Sequence, residues 1–186
     1  MQALEPSGRL SQINWEDWTP TDHATLLFVI KEERILLIRK KRGLGAGKIN
    51  GPGGRLEPGE TPAEAALREL EEELCIVGGV PTWCGHHQFE FTDGYRLFVD
   101  VFKTSDYQGE PTETEEAVPL WFDVDKIPFD EMWADDIYWF PHLLAGRLFR
   151  GKYLFRDDQM LDLELTVDQE EGPTLVESFS ATDTSP

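Results

Sequence analysis

The chain has 186 residues, a hydrophobic fraction of 40% and a formal net charge of −19 at pH 7. That length suits one domain of ordinary size with short tails. The strong negative charge argues against nonspecific binding to nucleic acid or to anionic membranes, so we expect neither as a partner.

The elements expected along the chain interleave strands with two helices. Residues 1–20 indicate a polar arm that could dock through Trp15 and Trp18, residues 21–168 the folded domain, and residues 169–186 an acidic tail expected to be disordered. The expected elements are strands at Thr25–Ile30 and Arg34–Arg39, a helix after Thr61, a hairpin at Phe89–Phe102 around Asp93-Gly94, a strand at Ala117–Val124, a helix at Asp136–Leu148 and a last strand at Leu161–Val167. This order predicts an α/β fold (α+β in some schemes), with a mixed sheet sandwiched between helices.

Cysteine usage and hydropathy bear on the compartment. The two cysteines, Cys75 and Cys84, form no CxxC pair, which is typical of a reducing compartment without structural zinc. The N-terminus has no basic start followed by an apolar run, and no segment approaches the ~20 apolar residues of a membrane span. We therefore expect a cytoplasmic protein that acts as a monomer.

The first helix carries the sharpest local signals. Thr61 suits the N-cap, Pro62 suits the first helical position, and Glu64 completes a capping box. An apolar stripe for packing is supplied by Ala63, Leu67, Leu70 and Leu74. The pattern predicts a well-started amphipathic helix.

Three glutamates of this helix, Glu69, Glu72 and Glu73, fall three and four residues apart. Those spacings stack side chains on one face, so the carboxylates converge and repel one another. A solvated acidic face is one interpretation. The other is a site for a hard divalent cation, magnesium or alternatively manganese. The glycine-rich run ahead of the helix favours the metal site, because glycine lets backbone groups approach a cation or phosphate closely.

The stretch from Gly54 to Ile76 resembles the signature of the Nudix hydrolases. That signature reads Gly, five residues, Glu, seven residues, Arg-Glu, an aliphatic, any residue, Glu-Glu, any residue, Gly and an aliphatic. The chain fills it with Gly54, Glu60, Arg68, Glu69, Leu70, Glu72, Glu73 and Ile76. Cys75 stands where the family has a glycine that closes the helix, at a cost of about 1 kcal/mol if its φ is positive.

The flanking stretches KKRGLGAGKINGPGG and WFDVDKIPFDEMWADDIYWFP resemble the MutT-like members that act on oxidised purine nucleoside triphosphates. The resemblance runs from about Thr25 to Val167. It implies the same layered fold and a magnesium-dependent hydrolysis of 8-oxo-dGTP, and of 2-hydroxy-dATP as a further candidate, to the monophosphate and pyrophosphate, which sanitises the nucleotide pool. Two alternatives stay open. One is a Nudix pyrophosphatase of a methylated purine triphosphate, ADP-ribose or a nucleotide sugar, and the other is a non-catalytic nucleotide sensor.

The resemblance implies roles for residues at the phosphate end. Metal ligands and catalytic carboxylates would be Glu69, Glu72, Glu73 and Glu116, joined as a ligand by the carbonyl of Gly53. Glu73 or Glu72 would take the proton of the attacking water. The alternative for Glu116 is an exposed acidic loop. Within the basic run from Arg39 to Arg42, Lys40 would steady a phosphate oxygen, against the alternative of a solvated strand end.

The resemblance also implies a base pocket. Asn50, Asp135 and Asp136 would contact the base edge and Trp133 would stack on the base. Further pocket positions are Thr25, Leu44, Phe89, Leu97 and Trp139. Related members have phenylalanine in place of Leu44 and Pro52 and methionine in place of Leu97, so the wall of the pocket differs in shape.

The chemistry of these residues agrees with base reading. Asn50 offers both a donor and an acceptor. Two neighbouring aspartates in an aromatic pocket should not both ionise, because burial and like charge each raise a carboxyl pKa. One of them can then donate while the other accepts, and exchanging the two states would admit more than one oxidised base. The plainer alternatives are helix capping for Asp135 and Asp136, core packing for Trp133 and a turn for Asn50.

Overall fold

The computed structural model describes residues 8–168 and 175–181. The strands are β1 (Asp22–Lys31), β2 (Arg34–Lys40), β3 (Ile49–Asn50), β4 (Gly53–Arg55), β5 (Val77–Gly78), β6 (Thr82–Phe91), β7 (Arg96–Thr104), β8 (Tyr107–Gln108), β9 (Ala117–Asp123), β10 (Phe149–Arg156), β11 (Gln159–Val167) and β12 (Leu175–Ser180). The helices are α1 (Pro62–Leu74) and α2 (Asp136–Leu144), with single 3₁₀ turns at Leu10–Gln12 and Phe129–Glu131. Across these two ranges, no helix is both long and apolar enough to span a membrane.

Ten of the described strands form one mixed sheet. Its order is β12-β11-β10-β6-β7-β1-β2-β3, with β4 paired to β1 and β9 paired to β2. The pairs β1–β7 and β6–β10 are parallel and the other pairs are antiparallel. The first two expected strands pair as the hairpin β1–β2, and the expected hairpin around Asp93-Gly94 is β6–β7, with φ 92° at Gly94 in its turn. The predicted mixed sheet is confirmed.

The two helices cover opposite faces of this sheet. Side chains alternate between the faces along a strand, so Leu27 and Val29 pack towards α1 while Phe28 packs towards α2. Helix α1 contributes Ala66, Leu70 and Leu74 to one core, and α2 contributes Trp139, Phe140 and Leu143 to the other. The predicted sandwich is therefore confirmed, and the bottom of the cavity described below lies on the α2 side.

Helix α1 begins as its sequence predicts. Thr61 is the N-cap, and its side chain accepts a hydrogen bond from the Glu64 amide while the Glu64 carboxylate accepts one from the Thr61 amide. These reciprocal bonds satisfy backbone donors that a helix leaves unpaired at its start. The capping box fixes where the three glutamates fall relative to the glycine-rich loop.

The end of α2 was predicted too late. The helix stops at Leu144 and not at Leu148, because Gly146 takes φ 73° and the chain then enters β10. Pro141 lies in the second turn of the helix, and the Ala145 amide donates to its carbonyl. Strand β10, which was not predicted, lies beside β6, and its Phe155 lines the cavity described below.

The prediction of disorder over residues 169–186 is wrong for Leu175–Ser180. These residues form β12, which pairs antiparallel with β11. Side chains of β12 also contact α2. The ring centroids of Phe179 and Tyr138 are 6.1 Å apart, and Oε1 of Glu177 lies 3.2 Å from Nε2 of His142. Residues 169–174 and 182–186 of the predicted tail lie outside the described residues.

The part of the N-terminal arm that the structure describes, from residue 8, lies against the domain; residues 1–7 are outside the described ranges. Trp18 is buried and its Nε1–H donates to Glu90 at 2.9 Å. Leu10 packs against Leu154 and Leu161, and Trp15 joins this small cluster. The division of the chain at residues 20 and 168 stays a prediction.

Cys75 ends α1 in the left-handed conformation, with φ 59° and ψ 29°. A Cβ is disfavoured there, so we expect Cys75→Gly to raise the free energy of unfolding by about 0.5–1 kcal/mol, net of the extra freedom of glycine in the unfolded chain. Urea unfolding monitored by circular dichroism measures this change. Cys75→Ala is the matched control, since it removes the thiol and keeps the Cβ. An equal gain in both variants would show that the thiol, and not the backbone, is the source.

Candidate active site

A cavity of about 600 Å³ joins the acidic face of α1 to the aromatic side of the sheet. The structure brings every site residue predicted from the sequence into its wall. These are Thr25, Lys40, Leu44, Asn50, Gly53, Glu69, Glu72, Glu73, Phe89, Leu97, Glu116, Trp133, Asp135, Asp136 and Trp139. The residues that line the cavity form two groups, one acidic and one mainly aromatic, which we call its acidic end and its aromatic end.

At the acidic end, Arg68 holds two of the predicted carboxylates. Its Nη1 donates to Glu69 at 2.9 Å and to Glu72 at 3.0 Å, and its Nε donates to Glu60 at 2.6 Å. Gly54 lies directly against Glu69, and a Cβ at that position would be 2.4 Å from the carboxylate. Arg68 is therefore a positioning residue, and Gly54 makes room for the carboxylate that it positions.

Glu73 is the most deeply placed of the glutamates, with 2% of its surface exposed. Its Oε2 accepts a hydrogen bond of 3.0 Å from the Gly53 amide. The pKa of Glu73 is raised to about 8, chiefly by burial and also by the charges of Glu69 and Glu116, against the opposing effects of the Gly53 hydrogen bond and Lys40. Burial likewise raises the pKa of Glu69. The acidic end is thus a set of carboxylates that oppose one another's ionisation.

This donor set fits a hard divalent cation. Within the two described ranges, no three acidic, histidine or cysteine side chains already surround a metal position. Arg68 engages Glu69 and Glu72, and Arg42 pairs with Glu116. The available donors in the cavity are nevertheless carboxylate and carbonyl oxygens, which magnesium and manganese prefer. A cation would also relieve the mutual repulsion that raises the pKa of Glu73.

Of the four basic side chains from Arg39 to Arg42, three form ion pairs and Lys40 forms none with a described residue. Arg39 pairs with Glu131, Lys41 with Glu113 and Arg42 with Glu116, in each case a side chain far along the chain. The ammonium of Lys40 makes no ion pair within residues 8–168 and 175–181, and it lines the cavity. In the part of the chain that the structure describes, Lys40 is therefore the member of the run that brings an unpaired positive charge to the cavity wall.

At the aromatic end lie two buried aspartates. The Nε1–H of Trp139 donates to Asp135 at 3.0 Å, and the Trp133 amide donates to Asp136 at 3.1 Å. Burial raises the pKa of Asp135 to about 6, and burial together with the charge of Asp135 raises the pKa of Asp136 well above its usual range. Asp135 is the N-cap of α2 but its side chain makes no capping bond. Burial and like charge therefore both oppose simultaneous ionisation of the two carboxyl groups.

The other predicted base contacts surround these aspartates. The side-chain oxygen of Asn50 accepts a hydrogen bond from the Gly51 amide at 2.8 Å, as the turn interpretation requires. Asn50 is also the last residue of β3. Trp133 is half-buried, and the close approach of Gly45 to its ring leaves no room for a Cβ. Phe89 stacks on Tyr153 with ring centroids 4.7 Å apart. Leu44 is 46% exposed at the cavity mouth.

Sequence reasoning missed His87 and Tyr153. His87 lines the cavity and is fully buried, and its Nδ1 lies 2.9 Å from the hydroxyl of Tyr153. The period of two along a strand could have identified His87, because it precedes the predicted pocket residue Phe89 by two positions. Tyr153 lies opposite Phe89 on β10, a strand that the sequence did not reveal.

Several known proteins share this sequence and fold. A family model described as "NUDIX domain" matches residues 20–143. An oxidized purine nucleoside triphosphate hydrolase from Danio rerio is 46% identical over 74% of this chain and 88% of its own length, and one from Mus musculus is 44% identical over the same shares. The crystal structure of a MutT protein from Bacillus halodurans aligns with a TM-score of 0.70 and 28% identity, covering 77% of this chain and 97% of that one. The family model covers well over half of the chain, and on these matches the chain belongs to the Nudix family.

Proposed function

We propose that this protein hydrolyses oxidised purine nucleoside triphosphates, 8-oxo-dGTP foremost and 2-hydroxy-dATP in addition, to the monophosphate and pyrophosphate, and so sanitises the nucleotide pool. One observation carries the proposal: a single cavity joins a carboxylate cluster to a buried aspartate pair among aromatic side chains. Triphosphate and oxidised base can then be bound at once. The names of the two relatives that are 46% and 44% identical support the same activity.

The phosphate end would hold magnesium, with manganese as the substitute, through Glu69, Glu72, Glu73, Glu116 and the Gly53 carbonyl. When bound, the cation offsets the phosphate charge and favours ionisation of the attacking water.

The chain's own groups do the remaining work at this end. Glu73, or Glu72 beside it, accepts the proton of the attacking water. Arg68 keeps Glu69 and Glu72 in position, a role that its hydrogen bonds to both carboxylates support. Lys40 steadies a phosphate oxygen. Attack on either side of the α–β bridge gives the same two products.

The base end reads the purine. Asn50 and the pair Asp135 and Asp136 contact the base edge, and Trp133 stacks on the ring. Thr25, Leu44, Phe89, Leu97 and Trp139 close the pocket. With one proton shared between the aspartates, one carboxyl donates while the other accepts, which suits an oxidised base that presents both kinds of group.

A nucleotide panel tests the proposal. We expect kcat/KM for 8-oxo-dGTP to exceed that for dGTP by about 10²-fold or more, since the polar groups of the pocket stay unpaired with the wrong base. Pyrophosphate should be released, and turnover should stop in excess EDTA and return with Mg²⁺. Faster turnover of ADP-ribose or a nucleotide sugar would identify another substrate. If no nucleotide were hydrolysed with Mg²⁺ or with Mn²⁺, the remaining alternative would be a non-catalytic nucleotide sensor.

We also propose that the protein acts as a monomer and that it acts in the cytoplasm. Sedimentation at micromolar concentration tests the first, and fractionation of cells tests the second.

A further inference from the structure

The floor of the cavity carries unpaired polar atoms that the proposed mechanism does not fully use. Four buried side-chain atoms lack a hydrogen-bond partner among the described residues, and three of them belong to cavity-lining residues: Thr25 Oγ1, His87 Nε2 and Asp135 Oδ1. Leaving such an atom unpaired costs about 1–3 kcal/mol. Three such atoms on residues that line one cavity are hydrogen-bonding groups that a polar ligand could satisfy.

His87 is the unexpected member of this set. Its ring lies among aromatic side chains: it is stacked on Phe149 with centroids 5.3 Å apart and lies 4.7 Å from the ring of Trp139. Trp139 also donates to Asp135. The two unpaired atoms, on His87 and Asp135, therefore flank the same indole.

Tyr153 orients the imidazole. Its hydroxyl lies 2.9 Å from Nδ1 of His87, and Gly151, opposite His87 in the register of β10 with β6, makes room for that hydroxyl. A Cβ on Gly151 would lie 2.1 Å from the phenol oxygen. The sequence of β10 thus seats the hydroxyl against His87.

The tautomer follows from counting donors. If the phenol donates to Nδ1, its one hydrogen is satisfied and Nε2 carries the ring hydrogen. The reverse tautomer would leave both the phenol hydrogen and Nε2 without partners in a buried site. Burial also holds the pKa of His87 well below its usual value, so the ring is neutral. His87 consequently presents an unpaired N–H.

We infer that the Nε2–H of His87, held by Tyr153, donates a hydrogen bond to the base and selects purines that present a carbonyl oxygen to it. This inference rests on the proposed function and adds a specificity-determining donor to it. The phosphate chemistry lies at the other end of the cavity, so the effect should fall on KM and not on kcat.

The double variant His87→Leu/Tyr153→Phe tests this inference. Replacing both partners of a buried hydrogen bond by apolar groups is close to neutral or stabilising, so the fold should keep or raise its Tm. We expect KM for 8-oxo-dGTP to rise about tenfold with kcat unchanged, the size of effect for an acceptor that loses its donor. KM for dATP, whose base has no carbonyl oxygen, should not rise. Equal changes for both nucleotides, or no change for either, would overturn the inference.

His86→Leu is the matched control, because it makes the same substitution one position away on the opposite face of β6, where His86 stacks on Phe98. It should leave both KM values as in the wild type.

A second measurement needs neither metal nor turnover. In protein with ¹⁵N-labelled histidine, the Nε2 resonance of His87 should report the N–H tautomer and shift on addition of 8-oxo-dGMP. If oxidised nucleotides are hydrolysed but this resonance does not move, the inference fails and the proposed function stands. If no oxidised nucleotide is hydrolysed, the proposed function fails by itself.

Discussion

Glu73→Gln should lower kcat for 8-oxo-dGTP by about 10²- to 10⁴-fold, the range for loss of a general base, while the protein stays folded. Glutamine keeps an oxygen that can accept the hydrogen bond from the Gly53 amide, so the local geometry survives. What disappears is the negative charge that binds the cation and the basic oxygen that takes the proton. Steady-state turnover with Mg²⁺ measures the loss.

The control for this variant is its stability without metal. The pKa of Glu73 in the folded protein is raised, chiefly by burial, to about 8 from its ordinary value of 4.5, so the folded protein binds this proton more tightly than the unfolded chain does. The free energy of unfolding of the wild type should therefore fall as pH rises from about 4.5 to 8. Glu73→Gln cannot ionise and should lose this part of the slope. A variant that has lost both turnover and its cooperative transition would instead indicate misfolding.

Glu71→Gln provides the matched change on the same helix. Glu71 is exposed and does not line the cavity, so kcat should stay within about twofold of the wild type, as is usual for exposed sites. If both glutamates proved equally necessary, the assignment of the acidic end to catalysis would be wrong.

Local signals predicted the parts of the fold that depend on neighbouring residues. The capping box at Thr61 and Glu64 set the start of α1, and the Asp93-Gly94 turn set the β6–β7 hairpin. The end of α2 and the strands β10 and β12 were missed or misplaced. Strand β12 has only six residues, and its pairing with β11 and the contact of Glu177 with His142 are tertiary interactions that its own sequence does not predict.

The candidate site divides in the same way. Spacing within one helix was enough to predict that Glu69, Glu72 and Glu73 converge. The base pocket was predicted from resemblance, because its residues come from distant parts of the chain. The pair of His87 and Tyr153, 66 positions apart, joins two strands that only the sheet topology makes neighbours. No local pattern contains that information.

Asp135→Asn should weaken binding of 8-oxo-dGTP by about 10²-fold, because it places an amide donor where the cavity now offers an unpaired carboxylate oxygen. The Trp139 indole can still donate to the remaining oxygen, so packing is retained. Asp136→Asn is the matched variant and should bind within about threefold of the wild type, since the neutral amide retains a donor in place of the protonated carboxyl. Equal losses in the two variants would contradict the division of donor and acceptor between them.

The same division predicts the pH dependence of binding. Below about pH 6, Asp135 gains a proton and ceases to accept, so the affinity for 8-oxo-dGTP should fall as pH drops through its raised pKa. On the alkaline side the affinity should fall as Asp136 loses its proton, at a pKa that burial and Asp135 hold well above the usual range. Asp136→Asn should remove the alkaline fall and keep the acidic one.

Measuring Kd by calorimetry in a Glu73→Gln background isolates the acidic and the alkaline fall in affinity, because turnover is suppressed and Glu73 no longer titrates. If the alkaline fall persisted in Asp136→Asn, the proton that the base requires would have to reside on another group of the cavity.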